Sequence, residues 1–223
     1  MESFIFKGIN SNSLGIIVKE MPPITKAEKN IESIQINGRN GNLHIDNKTY
    51  KSKNYSIVCV LMDQTKIDDL KYLFDGTGTL ILSTEPDREY QATIKNQVDF
   101  SKYLTYLREF PLQFELDPIA YSKDENILEF SSNSNFEIGG TAEIAPILII
   151  EGVGTISINN TQINIKETGI TIDCELMECS NGEISKNNLV ELDEFPKLMV
   201  GNNTITLGTG INKVTLKYKE GWL

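Results

Sequence analysis

Apolar and polar residues alternate with a period of two over most of this chain, the pattern of strands that bury one face. Phe110, Leu112, Phe114 and Leu116 alternate with Pro111, Gln113, Glu115 and Asp117, and Tyr90, Ala92 and Ile94 alternate with Gln91 and Thr93. Tyr55 to Met62 and Thr79 to Ser83 are denser apolar runs of strand length, and Val214, Leu216 and Tyr218 alternate near the C-terminus. Ile156 and Ile158 precede the turn Asn159-Asn160, and Ile163 and Ile165 follow it, which places four apolar side chains on one face of a hairpin. Ile170 and Ile172 extend that alternation after a turn at Gly169. One segment departs from the rule. Ile67, Leu70, Leu73 and Phe74 recur at helical spacing after Asp63 or Thr65, either of which suits a first-turn cap, and Gly76 and Gly78 close the segment. This predicts a single short helix, packed on a sheet face or plugging the end of a sandwich.

Composition points the same way. The chain has 29 Ile and 17 Thr against 5 Ala, a bias toward β-branched residues that pleated sheets accommodate and helices use sparingly. The expected fold class is therefore all-β. Between the two strand-rich halves, Ser122 to Gly140 collects polar residues, Ser/Asn clusters and a Gly pair, with Ile127 to Phe130 as a short strand in the connection. The expected organisation is one domain over residues 1–122, a linker over 123–140 and a second domain over 141–223.

The stretch from Pro22 to Asn54 has sparse apolar positions, bunched at Ile31, Ile34, Ile36, Leu43 and Ile45 around the turn Asn37-Gly38-Arg39-Asn40-Gly41-Asn42. It reads as a long hairpin with a glycine-rich tip. A two-stranded ribbon alone is marginal in water, so this one needs another surface. That surface is either its own sheet or, in a homo-oligomer, a neighbouring subunit.

Charge and candidate chemistry narrow the function classes. With 21 Lys and Arg against 31 Asp and Glu, the formal charge is −10, which gives a phosphate backbone no extended basic footprint. No apolar run is long enough to span a bilayer, and Glu2 stands where an export signal needs positive charge, so the expected compartment is a cytoplasm. Cys59, Cys174 and Cys179 are expected as buried thiols; the latter two, five apart, would point to opposite faces of a continuous strand and make a poor chelate. The single histidine, His44, leaves no His-based metal cluster. Gly76-Thr77-Gly78 and Gly152-Val153-Gly154 each lead into β-branched residues, not the helix N-terminus that a phosphate cradle requires. The acidic pairs Asp68-Asp69, Glu115 with Asp117, and Asp193-Glu194 fit solvated faces, and the only Trp, Trp222, is one residue from the end. No active site, metal or cofactor is expected.

The succession of segments is more telling than any of these groups. FIFKGINSNSLGIIV, IQINGRNGNL, GTLILSTEPDREYQATI and FPLQFELDPIAY, in that order, resemble the N-terminal domain of the phage distal tail protein family, also called the Siphovirus-type tail component. APILIIEGVGTISIN, GITIDCE and EFPKLMVGNNTITL are similar to that family's C-terminal sandwich, so the resemblance covers nearly the whole chain. It implies an N-terminal β-sandwich or barrel-like domain with one helix and a projecting hairpin arm over residues 22–54, followed by a galectin-like β-sandwich. It further implies a homohexameric ring at the virion tail tip or baseplate, whose partners are the tail tube protein, the tape measure protein and a tail-tip or tail-associated lysin protein. On that reading the arm embraces the next subunit, with Ile34, Ile36, Leu43 and Ile45 as its apolar contacts and Arg39 at its tip meeting a carboxylate.

The galectin likeness concerns fold alone, because the His, Arg and Trp constellation of true galectins is absent from residues 141–223. Two rivals to the hub are a carbohydrate-binding receptor module, which an aromatic groove would favour, and a small glycan hydrolase, which a carboxylate pair in a cleft would favour.

Overall fold

The computed structural model describes residues 2–62, 64–95 and 109–223. The chain divides into two compact units, Met1–Ala120 and Tyr121–Trp222. The first contains strands β1 (Phe4–Phe6), β2 (Ile9–Asn10), β3 (Ile16–Glu20), β4 (Lys29–Gln35), β5 (Asn42–Tyr50), β6 (Lys53–Leu61), β7 (Gly76–Leu82), β8 (Glu85–Ile94) and β9 (Glu109–Leu116), with β10 (Ala120–Ser122) at the junction. Its helix α1 covers Ile67–Leu73.

The principal sheet of the first unit runs β2-β1-β7-β8-β9-β6-β3, with every adjacent pair antiparallel. Period-two alternation gives it one apolar face: Tyr55, Ile57, Cys59 and Leu61 of β6 are buried together with Phe110, Leu112, Phe114 and Leu116 of β9. The sheet curls around this face to make a barrel-like core. Phe114 lies at its centre, edge-on to Phe6 at 5.5 Å and to Phe4 at 6.1 Å between ring centroids.

Helix α1 lays Leu70 and Leu73 onto the same core, joined by Phe74 and, at its margin, Ile67. This is the stripe the spacing predicts. The start differs from expectation: Thr65 belongs to a 3-10 turn, Gln64–Lys66, ahead of the helix, and the N-cap residue is Lys66, which makes no side-chain capping bond. Asp63, the other candidate cap, lies outside the described residues.

The second unit contains β11 (Asn126–Phe130), β12 (Ser134–Ile138), β13 (Ile147–Gly152), β14 (Gly154–Ile158), β15 (Thr161–Ile165), β16 (Ile170–Asp173), β17 (Glu178–Asn181), β18 (Ile184–Ser185), β19 (Val190–Leu192), β20 (Gly201–Leu207), β21 (Ile211–Tyr218) and β22 (Gly221–Trp222). Two sheets, β11-β21-β13-β16-β17-β18 and β12-β20-β14-β15-β19, enclose one core. It is a β-sandwich.

Two details depart from the sequence reading. Residues 123–140, expected as a linker, hold β11 and β12, one in each sheet, and Phe130 and Phe136 meet in the core at 5.1 Å between centroids. The Ser/Asn cluster there is the turn between two strands. Ile156, Ile158, Ile163 and Ile165 are all buried on the β14–β15 hairpin as expected, but β16 with Ile170 and Ile172 pairs with β13 in the opposite sheet.

The Gly152-Val153-Gly154 turn has a backbone cause. Gly152 has φ +124°, and a Cβ there would sit 2.3 Å from the Gly210 carbonyl oxygen. Two hairpin turns thus meet backbone to backbone, joined by the Val153 amide donating to Gly210 at 3.0 Å, and only glycine leaves room.

All three cysteines are buried and unpaired. Cys174 and Cys179 are buried in the same core, because Cys174 opens the turn that follows β16 and Cys179 lies in β17, so no continuous strand imposes the opposite-face geometry. Burial pushes the Cys59 and Cys174 thiols up to about 12 and the Cys179 thiol in the same direction. Labelling with a disulfide reagent at mildly alkaline pH should therefore be slow in the native chain and complete in urea. Rapid native labelling would contradict the burial of these thiols.

Candidate assembly surface

The hairpin of β4 and β5 forms a two-stranded sheet of its own. It does not fold back onto the principal sheet. Its register pairs Glu32 with Ile45, Ser33 with His44, Ile34 with Leu43 and Gln35 with Asn42. Residues directly opposite share a face, so Ile34, Leu43 and Ile45 lie together, with Ile36 continuing the same parity beyond the end of β4. The other face carries Ser33, Gln35, Asn42, His44 and Asp46, together with Ile31.

Every strand residue of the hairpin except Asn30 and Tyr50 is exposed. Ile34, Ile36, Leu43 and Ile45 are each 37–40 % exposed, and Arg39 is exposed at the tip. The structure therefore brings Ile34, Leu43 and Ile45 to one uncovered face, which Glu32 shares, and places Ile36 and Arg39 in the turn beyond β4. The polar face is tied internally: Asn42 donates to Ser33 Oγ at 2.9 Å, and Lys29 donates to Asp46 at 3.0 Å. The Lys48 backbone amide and then Lys29 hold the Asp46 carboxyl below its usual range.

The root of the arm is fixed. Met21 and Ala27 are buried where the chain leaves the core, Ile24 packs against that core, and the chain returns through Lys53. Tyr55 donates its hydroxyl to the Pro22 carbonyl at 2.6 Å. Lys53 is 9 % exposed, lies 5.5 Å from the centroid of the Tyr90 ring, and has its pKa lowered by burial. Tyr90 in turn donates to Glu85 at 2.5 Å. The arm thus ends short of Asn54, since Lys53 already opens β6. No local pattern announces the Lys53, Tyr90 and Glu85 cluster, which comes from strands far apart in sequence. A lone lysine in phase with Tyr55 and Ile57 is the one available signal.

The remaining candidate groups sit apart from the arm or on its polar side. His44 is exposed on the face opposite Ile34. Asp68 and Asp69 pair with Lys71 at 2.9 Å and Lys66 at 3.7 Å, and Glu115 pairs with Lys95, which holds its carboxyl low. Thr161 donates to Glu194 at 3.4 Å, and Trp222 is half-buried in β22. Among the described residues no cluster of three or more His, Cys, Asp or Glu could hold a metal, and no helix is long and apolar enough to cross a membrane.

A barrel-like β unit bearing an uncovered hairpin, followed by a β-sandwich, defines the fold as an all-β two-unit architecture. Among solved structures it is similar to the crystal structure of the SPP1 Dit (gp 19.1) protein, with a TM-score of 0.79 over 100 % of both chains at 13 % identity. That protein is described as a paradigm of hub adsorption apparatus in Gram-positive infecting phages. The distal-tail resemblance read from the sequence is met at the level of fold. No protein-family model matches the chain, and no curated protein matches it.

Proposed function

We propose that this chain is a structural hub of a phage tail tip or baseplate, a homohexameric ring that joins the tail tube to the adsorption apparatus. The observation that carries the reading is the full-length correspondence with the SPP1 Dit fold. The arm supplies a physical means: an apolar hairpin face that its own chain leaves open is stabilised when a neighbouring copy covers it, and a head-to-tail contact of that kind closes into a ring. On this reading Ile34, Ile36, Leu43 and Ile45 pack on the neighbour, and Arg39 pairs with a carboxylate of the neighbour or of a tail partner. The tail tube protein, the tape measure protein and a tail-tip or tail-associated lysin protein are its partners in the virion, after synthesis in the host cytoplasm.

Light scattering on the purified chain should give six times the 25.0 kDa chain mass, and negative-stain imaging should show a ring with a central opening. A chain that stays monomeric at high concentration, with the β4 and β5 amides freely exchanging, would overturn the ring.

A further inference from the structure

We propose that the tip of the arm is a spontaneous modification site, at which Asn37 and Asn40 convert to aspartate and isoaspartate through attack by the backbone nitrogen of the glycine that follows each. The nitrogen of Gly38 bonds to Cγ of Asn37, the Cγ–NH2 bond breaks, and ammonia leaves with the displaced amide proton, closing a succinimide ring. Water then opens the ring at either carbonyl. Opening at one returns a normal aspartyl bond; opening at the other moves the backbone through the side chain. The same balance holds for Asn40 and Gly41. Water is the only co-reactant.

Two features of the tip leave this reaction open, and the chemistry of asparagine supplies a third. Asn37 and Asn40 are both exposed, and apart from their chain neighbours neither Gly38 nor Gly41 has an atom within 4 Å of where a Cβ would stand, so no other segment crowds the tip. The Ile36–Arg39 turn closes through the Arg39 amide, which donates to the Ile36 carbonyl at 3.1 Å, with Gly38 at φ +83° in the third position. This is the glycine-requiring form of the turn; its hydrogen bond leaves the Gly38 amide uncommitted, and the Asn37–Gly38 peptide rotates to bring that nitrogen to Cγ, a movement that glycine's conformational freedom permits. Asparagine is also among the thermally labile residues.

Other asparagines are held differently. Asn203 is fully buried, accepts from Met199 N at 2.8 Å and donates to Met199 O at 2.7 Å. Asn159 donates to Asn203 at 2.9 Å and accepts from Thr204 N at 3.0 Å. Asn181, the third asparagine followed by glycine, is also exposed and its Gly182 equally uncrowded, but it is paired with Ile184 in the β17–β18 ladder, so turning its peptide toward its side chain disturbs a ladder pair.

The chemistry changes the tip's character. Arg39 is the only charged residue between Ile36 and Asn42, so the segment starts at one positive charge. Conversion at both sites leaves it net negative by one. An arm tip that seeks a carboxylate becomes one that repels it, and isoaspartate also lengthens the turn backbone.

The full chain would be incubated at neutral and mildly alkaline pH in water enriched in heavy oxygen, then peptide-mapped by mass spectrometry with fragmentation that separates aspartate from isoaspartate. Asn37 and Asn40 should convert first, both products should carry the heavy label, and Asn159 and Asn203 should stay intact. The whole protein should gain acidic charge variants, two steps of which are lost in Asn37→Gln with Asn40→Gln. Conversion no faster at the tip than at Asn181, or conversion confined to a urea-unfolded control, would overturn the proposal. The reaction needs only the isolated chain and does not rest on the assembly reading.

Discussion

Replacing Phe114 with alanine should destabilise the first unit by about 3–5 kcal/mol, the usual cost of removing a buried aromatic ring. Phe114 is 1 % exposed and holds edge contacts to Phe4 and Phe6, so its loss opens a cavity where β9, β1 and the helix-bearing side of the core converge. For a unit of this size the midpoint of thermal unfolding should fall by about 10 °C or more. The cysteines give a local readout. Cys59 lies in the same core as Phe114, whereas Cys174 and Cys179 lie in the sandwich core. Labelling of Cys59 through opening of the first unit should accelerate by roughly two orders of magnitude or more, since each tenfold corresponds to about 1.4 kcal/mol. The labelling rates of Cys174 and Cys179 should be unchanged. A drop of less than about 1 kcal/mol would mean that Phe114 does not anchor this core.

The second large effect concerns assembly, with little effect on folding. Ile34→Asp together with Leu43→Asp places two carboxylates side by side on the apolar face of the arm. If each side chain is worth about 1.5–3 kcal/mol when covered, the pair removes about 3–6 kcal/mol from every joint, or two to four orders of magnitude in its dissociation constant. The proposed ring should collapse to monomers in light scattering. Thermal unfolding of the first unit should hardly move, because both side chains are already exposed in the chain itself. A ring that survives the double substitution would remove the apolar face from the joint. Ser33→Asp with Gln35→Asp, on the polar face, is the matching control and should leave the ring intact.

Much of this architecture is legible in the sequence because strand alternation is a local signal. The buried faces of β9, β14 and β15 are the residues whose period-two pattern predicts them, β6 follows from an apolar run of strand length, and the α1 stripe follows from Ile67, Leu70, Leu73 and Phe74. In the arm the sequence shows only that Ile31, Ile34, Ile36, Leu43 and Ile45 bunch around the turn; that Ile34 and Leu43 share a face depends on the register that sets Gln35 opposite Asn42, which a slip of one residue would undo. What sequence could not supply is pairing between distant strands. Polar composition made residues 123–140 resemble a connector, although Phe130, Phe136 and Ile138 are enough to seat two strands. Alternation through Ile170 and Ile172 carries no mark of which sheet receives them. The Lys53, Tyr90 and Glu85 cluster needs β6 and β8 to meet in space before it exists.

The fastening of the arm at its root has a thermodynamic consequence. Met21 on the outgoing side and Tyr55 on the returning side belong to the packed core, Ala27 and Lys53 are buried as well, and the Tyr55 bond to Pro22 ties the two sides together. A surface that captures the hairpin therefore finds its base already ordered, and the conformational freedom lost on capture is confined to the strands and tip. Flexible appendages surrender much of their contact energy to that ordering. In the proposed ring, preorganisation of this kind lets a modest apolar stripe hold the next copy, where a free tail of the same composition would need a larger one.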